Sequence, residues 1–205
     1  MEFVLRAFSN GMDGVFLGGC RLNECNYITH GNYHALSMVL LFKKIMERIG
    51  LNPERIKIEF MSGAEANIFV ETVNGFVRKV KELGPLGQAE GISEAQLKFK
   101  LEAISRLVPY IRLVERERLR MPLGSEDSYH KFFSSDEFER LFNETIGDKL
   151  AISQIISLLR EKPLPTAEMA KSLGLTPSEV SKHLNTSSRQ GLVRYDESQK
   201  CFALA

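Results

Sequence analysis

The chain of 205 residues has no tryptophan, three cysteines and no excess of either charge, since 27 Lys/Arg stand against 26 Asp/Glu for a net of +1. An odd and sparse cysteine count argues against a secreted disulfide framework. Near-neutral charge gives no bulk pull toward nucleic acid or a membrane surface. No unbroken apolar run exceeds five residues, far short of the ~20 that a membrane-spanning helix needs. The opening Met1-Glu2-Phe3-Val4-Leu5-Arg6 has neither the basic start nor the apolar core of a signal peptide. These absences place the chain in the cytoplasm, with no membrane partner. A phosphate-binding loop, a G-x-S-x-G and an H-E-x-x-H are missing too, so a self-contained active site finds little support. What is present, 43% apolar and 26% charged residues, excludes a disordered or collagen-like chain. The length suits one large or two small domains.

Charge and pattern divide the chain into three pieces. Residues 1–88 carry ten Lys/Arg against nine Asp/Glu, residues 89–148 nine against twelve, and residues 149–205 eight against five. The local nets are therefore +1, −3 and +3.

The first piece reads as α/β. Phe3–Phe8 is the end of a helix, closed by Ser9-Asn10-Gly11. Gly14–Gly19 is a short apolar run between glycines, the pattern of a buried parallel strand. Tyr33–Ile49 is a helix stopped by Gly50 and Pro53, with Met38, Leu41, Ile45 and Ile49 at core spacing. Arg55–Met61 alternates as a strand with one wetter face. Ala64–Leu83 is a helix whose stripe is Phe69, Val73, Phe76, Val77 and Val80. This order predicts a partial flavodoxin-like parallel sheet domain. Two strands are too few for such a sheet, and Met1 falls within a helix that no strand precedes. Either the domain begins upstream or another chain supplies its missing half.

The middle piece, 89–148, reads as a solvated helical connector. Ser93 caps a helix toward Leu107, Pro109 interrupts it, Met121–Ser134 is an exposed connection and a further helical stretch starts near Asp136. The third piece, 149–205, is a winged helix-turn-helix domain. Leu150–Arg160 and Thr166–Leu173 are helices, Gly174 turns, Thr176-Pro177 opens a third helix with Val180 and Leu184 inward, and Gly191–Tyr195 pairs with a strand holding Phe202 and Leu204.

The loop after the first strand, Gly18-Gly19-Cys20-Arg21-Leu22-Asn23-Glu24-Cys25-Asn26-Tyr27, carries the chemistry. Ligands of wound α/β sheets gather at the carboxyl ends of strands. A C-x4-C spacing can turn both sulfurs to one side, as one class of iron–sulfur protein does. Three readings stay open on spacing alone: a metal or cluster site, buried inert thiols, or a redox thiol pair. Arg21 and Glu24 read equally as surface residues or partner contacts. His30 and His34 read as loop or helix-surface residues ahead of ligands, and Cys201 as a small apolar residue of the wing.

The run Ala7-Phe8-x-x-Gly11-x-Asp13-Gly14-Val15-Phe16-x-Gly18-Gly19-Cys20-x-x-x-x-Cys25-x-Tyr27, with Gly31-Asn32-Tyr33, resembles the delta subunit of methyl-viologen-reducing hydrogenase. So do Ile49-Gly50-Leu51-x-Pro53-Glu54-Arg55, Ala64-Glu65 and Leu83-Gly84-Pro85-Leu86. The resemblance covers about residues 3–88, and the winged helix resembles an appendage of some longer members. It implies a 2Fe–2S cluster with Cys20 and Cys25 as two thiolate ligands, matching the family's second cysteine pair. It implies a non-catalytic subunit passing electrons between a hydrogenase or formate dehydrogenase and the flavin-containing subunit of a heterodisulfide reductase-type complex, in anaerobic metabolism. Members carry further cysteines upstream of the matched segment. The resemblance therefore leaves the other two ligands to an upstream segment or to a small chain completing the N-terminal domain.

The rival class is a redox-sensing winged-helix DNA-binding regulator. A DNA reader needs several cations along its third helix and wing. Here Lys182, Arg189, Arg194 and Lys200 stand against Glu179, Asp196 and Glu197, which favours protein docking over nucleic acid.

Overall fold

A computed structural model describes residues 1–27, 31–122 and 124–205. Helix α1 (Glu2–Ser9) buries Val4, Leu5 and Phe8 on one side. Gly11, at φ 83°, supplies the left-handed turn into β1 (Val15–Gly19). Helix α2 (Asn32–Arg48) returns the chain, a single tight turn Pro53–Arg55 follows, and β2 (Ile56–Phe60) pairs parallel to β1 with Val15 opposite Ile56 and Gly19 opposite Phe60. The period of two then sorts side chains between layers. Val15 and Leu17 pack on the core of Phe8, Phe42 and Ile45. Phe16 points the other way and meets Phe69 and Phe76 of α3 (Ala66–Leu83) at ring centroid distances of 6.2 and 6.0 Å. The expected helix, strand, helix, strand, helix order is present as a small α/β layer.

Arg55 ties this layer together. It is fully buried, and its guanidinium donates to Glu90 Oε1 at 2.6 Å, to the Asp13 carbonyl at 3.0 Å and to the Gly84 carbonyl at 2.8 Å. Asp13 in turn accepts the Leu86 N–H at 2.7 Å. One side chain thus joins the approach to β1, the end of α3 and the following loop, and a buried charge so placed is tolerated because its donors are used.

Helix α4 (Glu94–Arg118) begins at a capping box of Ser93 and Gln96. The sequence places an interruption at Pro109 and solvent around the middle piece; both expectations fail. Pro109 lies inside a continuous helix on its exposed side, where the carbonyl that loses its donor can be hydrated. The opposite side of α4 sends Leu101, Ile104, Val108, Ile111 and Val114 into the same core as Phe8, Phe42 and Ile45. Met121–Ser134 is not simply an exposed connection either. It contains α5 (Glu126–Phe133), whose buried Tyr129 stacks on Tyr33 with centroids 5.3 Å apart.

Two further corrections concern the sheet. Val15, Phe16 and Leu17 are only half-buried rather than buried, and of the α3 stripe only Phe76 is buried, with Phe69 and Val77 exposed at 46% and 43%. The reason is width. An 18-residue helix runs ~27 Å, while two five-residue strands offer a surface only ~10 Å across and ~17 Å long.

Helix α6 (Asp136–Phe142) continues through a wide turn, Asn143–Gly147, into α7 (Asp148–Glu161). Helix α8 (Thr166–Leu173) ends at Gly174 in the left-handed conformation, φ 68°. Helix α9 (Pro177–Arg189) opens on a Thr176–Glu179 capping box. The antiparallel hairpin of β3 (Val193–Asp196) and β4 (Cys201–Leu204) pairs Val193 with Leu204, and Leu164 bridges to Phe202. Ile155, Met169, Val180, Leu184 and Val193 close a second core. Among the described residues no helix is long and apolar enough to cross a membrane.

Candidate metal centre

The loop carrying Cys20 and Cys25 leaves the carboxyl end of β1, where the Met61 N–H donates to the Gly19 carbonyl at 2.9 Å. One side of the loop is fastened to the turn before α3. Arg21 Nε donates to Glu65 Oε2 at 3.0 Å and the guanidinium pairs with the second carboxylate oxygen. Glu65 also accepts the Ser62 N–H at 2.7 Å, and Arg21 first, Ser62 second, hold its carboxyl below the usual carboxylate range. Arg21 is therefore an exposed strut within the chain, and Glu24 is exposed as well.

The other side rests on the start of α2. The Asn32 amide donates to the Cys20 carbonyl at 3.1 Å and to the Arg21 carbonyl at 2.6 Å. The Tyr33 hydroxyl bonds Asn23 Oδ1 at 2.9 Å and also the Gly124 carbonyl. Asn23 sits at φ 72°, a left-handed conformation that asparagine tolerates. A Cβ at Gly31 would collide with the Tyr27 carbonyl oxygen and the Cys25 sulfur, so the loop closes over a position that admits only glycine.

This folding brings the two cysteines together. Cys20 is exposed and Cys25 half-buried, and both are free thiols. The neighbouring Cys25 side chain first, burial second, pushes the Cys20 thiol up. The backbone N–H groups of Tyr27 and then Asn32 hold the Cys25 thiol below its usual range. A pair of free thiols with an amide donor beside one of them can serve as thiolate ligands of one iron. Among the described residues no group of three or more His, Cys, Asp or Glu side chains converges to hold a metal. The chain as described thus offers two of the four ligands that a 2Fe–2S cluster takes.

The remaining candidates lie elsewhere. Cys201 is buried in β4, its sulfur 3.8 Å from Gln199 Oε1, in keeping with an apolar role. His34 Nδ1 stands 3.4 Å from Glu115 Oε1, beside a cleft of about 990 Å3 that Ser37, Arg120 and Tyr129 also line. Ser37 Oγ donates to the same carboxylate oxygen at 3.1 Å. His30 lies outside the described residues. Of the expected core row, Leu41, Ile45 and Ile49 are buried and Met38 half-buried. Sequence reasoning missed the work of Asn32, Tyr33 and Arg55. The available signal was an asparagine in the first turn of a helix directly after the cysteine loop, a residue type that bonds nearby backbone.

Residues 1–84 match the family model described as methyl-viologen-reducing hydrogenase, delta subunit, and residues 153–195 match that described as bacterial regulatory protein, arsR family. One relative is a component of the ferredoxin/F(420)H(2)-dependent CoB-CoM heterodisulfide reductase of Methanosarcina acetivorans. It is 44% identical over 86 residues, covering 42% of this chain and 11% of that protein. An iron-sulfur component of the F420-non-reducing hydrogenase of Archaeoglobus profundus is 42% identical over 84 residues, 41% of this chain and 61% of the relative. Its vhu counterpart from Methanococcus maripaludis is 43% identical over 85 residues, 42% and 63% respectively. The chain thus spans 11% of the reductase component and 61–63% of these hydrogenase components. The resemblance to the delta subunit stands in both comparisons.

Proposed function

We propose that this chain is an electron-transfer subunit of a hydrogenase- or heterodisulfide reductase-type complex. In this reading Cys20 and Cys25 hold one iron of a 2Fe–2S cluster, and the other two thiolates come from outside the described residues. The observation that carries it is the pair of free thiols in the loop at the carboxyl end of a parallel strand, within the segment that matches the delta-subunit family. When bound, the cluster supplies a site that takes up and releases one electron at a time. The chain's own contribution is to hold two sulfurs side by side, to aim the Tyr27 and Asn32 N–H groups at Cys25, and to keep the loop clamped through Arg21 and Glu65. Electron donors of the hydrogenase or formate dehydrogenase class and a flavin-containing acceptor protein complete the relay.

The open face of the α/β layer supports a large partner interface. Phe69, Val70 and Val77 of α3 are exposed, and a strand from a partner beside β1 or β2 would extend the pair toward a flavodoxin-like sheet. Parallel sheets are normally covered on both faces.

The deciding experiment is an anaerobic pull-down with iron and acid-labile sulfide quantified and the cluster read by electron paramagnetic resonance. A reducible 2Fe–2S signal travelling with a flavoprotein, and lost in both Cys20→Ser and Cys25→Ser, is the expected result. Iron-free chain, or cluster content unchanged in the two variants, sinks the assignment.

The arsR-family match over residues 153–195 favours a second reading, a redox-sensing DNA-binding regulator. The exposed face of α9 offers Ser178, Ser181, Asn185 and Arg189, while Lys182 is drawn to Asp148 at 3.3 Å. Few cations remain for phosphates, so docking to a partner protein is the preferred role of this domain. Tight DNA binding that weakens steeply with salt would reverse that preference.

A further inference from the structure

We infer that Asn32 is the positioning residue of the cysteine site, setting both its affinity for metal and the reduction potential of what it holds. The inference rests on the reading of Cys20 and Cys25 as ligands. Asn32 is the first residue of α2 and is 6% exposed. Its amide nitrogen carries two hydrogens and places them on two successive carbonyls, those of Cys20 and Arg21. The same nitrogen lies 4.0 Å from Cys20 Sγ, while its Oδ1 accepts the Tyr33 N–H at 2.9 Å, which fixes the amide plane. The preceding Gly31 lies against the Cys25 sulfur, where an added Cβ would collide. Asn32 therefore holds Cys20 through its side chain, one position after the glycine that packs on the Cys25 sulfur.

The flanking residues make this a cradle rather than an isolated contact. Gly31 leaves room for the Tyr27 carbonyl and the Cys25 sulfur, and Tyr33 reaches the middle of the loop at Asn23. Three consecutive residues thus touch the loop at its end, at its start and at its centre. The first turn of a 17-residue helix is rigid, so sulfur positions are set before any metal arrives. That is preorganisation of a ligand pair by groups that do not themselves ligate. The amide nitrogen beside Cys20 also places positive partial charge against that sulfur, which favours the reduced, more negative state of a bound cluster.

The test uses the full chain in two forms. In metal-free chain, cobalt(II) is titrated and its thiolate charge-transfer absorption followed. Asn32→Ala and Asn32→Asp are expected to weaken cobalt binding about 10–100-fold. In cluster-loaded complex, a redox titration followed by electron paramagnetic resonance is expected to show a lower potential for Asn32→Asp at unchanged iron content per site. Asn32→Asp keeps the shape and places an anion in the first helical turn, where it supports the helix. Loss of α2 then cannot explain its effect, and retained far-ultraviolet circular dichroism verifies this. Wild-type chain that binds neither cobalt nor iron overturns the ligand reading and this inference with it. Wild-type binding with both variants matching it in affinity and potential overturns the role of Asn32 alone and leaves the ligand reading standing.

Discussion

The described residues form two sheets of two strands each, and they are stabilised in opposite ways. The β3–β4 hairpin is antiparallel, joined by a short turn, and lies on a core that its own helices close around Val180, Leu184 and Val193. The β1–β2 pair is parallel, needs α2 as its crossover, and remains half-buried beneath a helix that exposes Phe69, Val70 and Val77. An antiparallel hairpin with one covered face is complete in itself, whereas a parallel pair needs cover on both sides. The winged helix therefore reads as a finished unit, and the cysteine-bearing layer as a surface that expects more protein.

The sharpest way to break the comparison is to remove what holds the open layer together. Arg55→Met strands Glu90 among the groups it now joins and is expected to cost about 3–5 kcal/mol, read by urea denaturation. Hydrogen exchange should show the loss concentrated around β1, β2 and the end of α3, with α9 and the hairpin less affected. A uniform loss would mean that the two regions unfold as one.

The converse substitution is Leu184→Ala, at a fully buried side chain of the second core. It is expected to cost about 2–5 kcal/mol and to leave cobalt binding at Cys20 and Cys25 within experimental error. Weakened metal binding here would show that the winged helix props up the loop.

A smaller effect separates the regions by pH. Burial pushes the Glu90 carboxyl up, but hydrogen bonds from Arg55 and from the Asn52 and Gly87 N–H groups outweigh it and hold it below its ordinary value. The folded state therefore binds that proton less readily than the unfolded chain. Its contribution is present above the ordinary glutamate range near ~4.3 and is lost as pH falls through the lower folded value. Melting temperatures between pH 6 and pH 3 should fall less steeply in Glu90→Gln than in the parent, from a lower starting point. Parallel slopes would remove Glu90 from the acid response.

The smallest stability effect is expected on the exposed face itself. Val70→Ser with Val77→Ser should change stability by no more than about 0.5 kcal/mol per site, yet reduce recovery of partner proteins in the pull-down. A large destabilisation would show that α3 is covered within this chain after all, and unchanged recovery would show that partners bind elsewhere.

Much of this was legible in the residues. Glycine stops, Pro177 at the first position of α9 and the period-two strands are local signals whose energies act over a few residues, and they located most elements to within a few positions. The cysteine spacing and its glycine-rich surroundings likewise marked the loop after β1. Pro109 misled because a proline's cost depends on what lies opposite it, and α4 is held on both sides of that position by Ile104, Val108 and Ile111. Met121–Ser134 misled because its polar run conceals Tyr129, whose burial depends on Tyr33, far earlier in the chain.

The sequence alone determined the order of helices and strands in the first and third pieces, the winged-helix pattern and the identity of the two cysteines, because periodicity, caps and spacing are encoded locally. Only the tertiary structure decided that Asn32 holds the carbonyls of Cys20 and Arg21, that Arg21 is bound to Glu65 and that Arg55 is buried against Glu90 and the carbonyls of Asp13 and Gly84. Each of those depends on which polar group a fold brings within about 3 Å of another, and hydrogen bonds between residues distant in the chain leave no periodic trace in it.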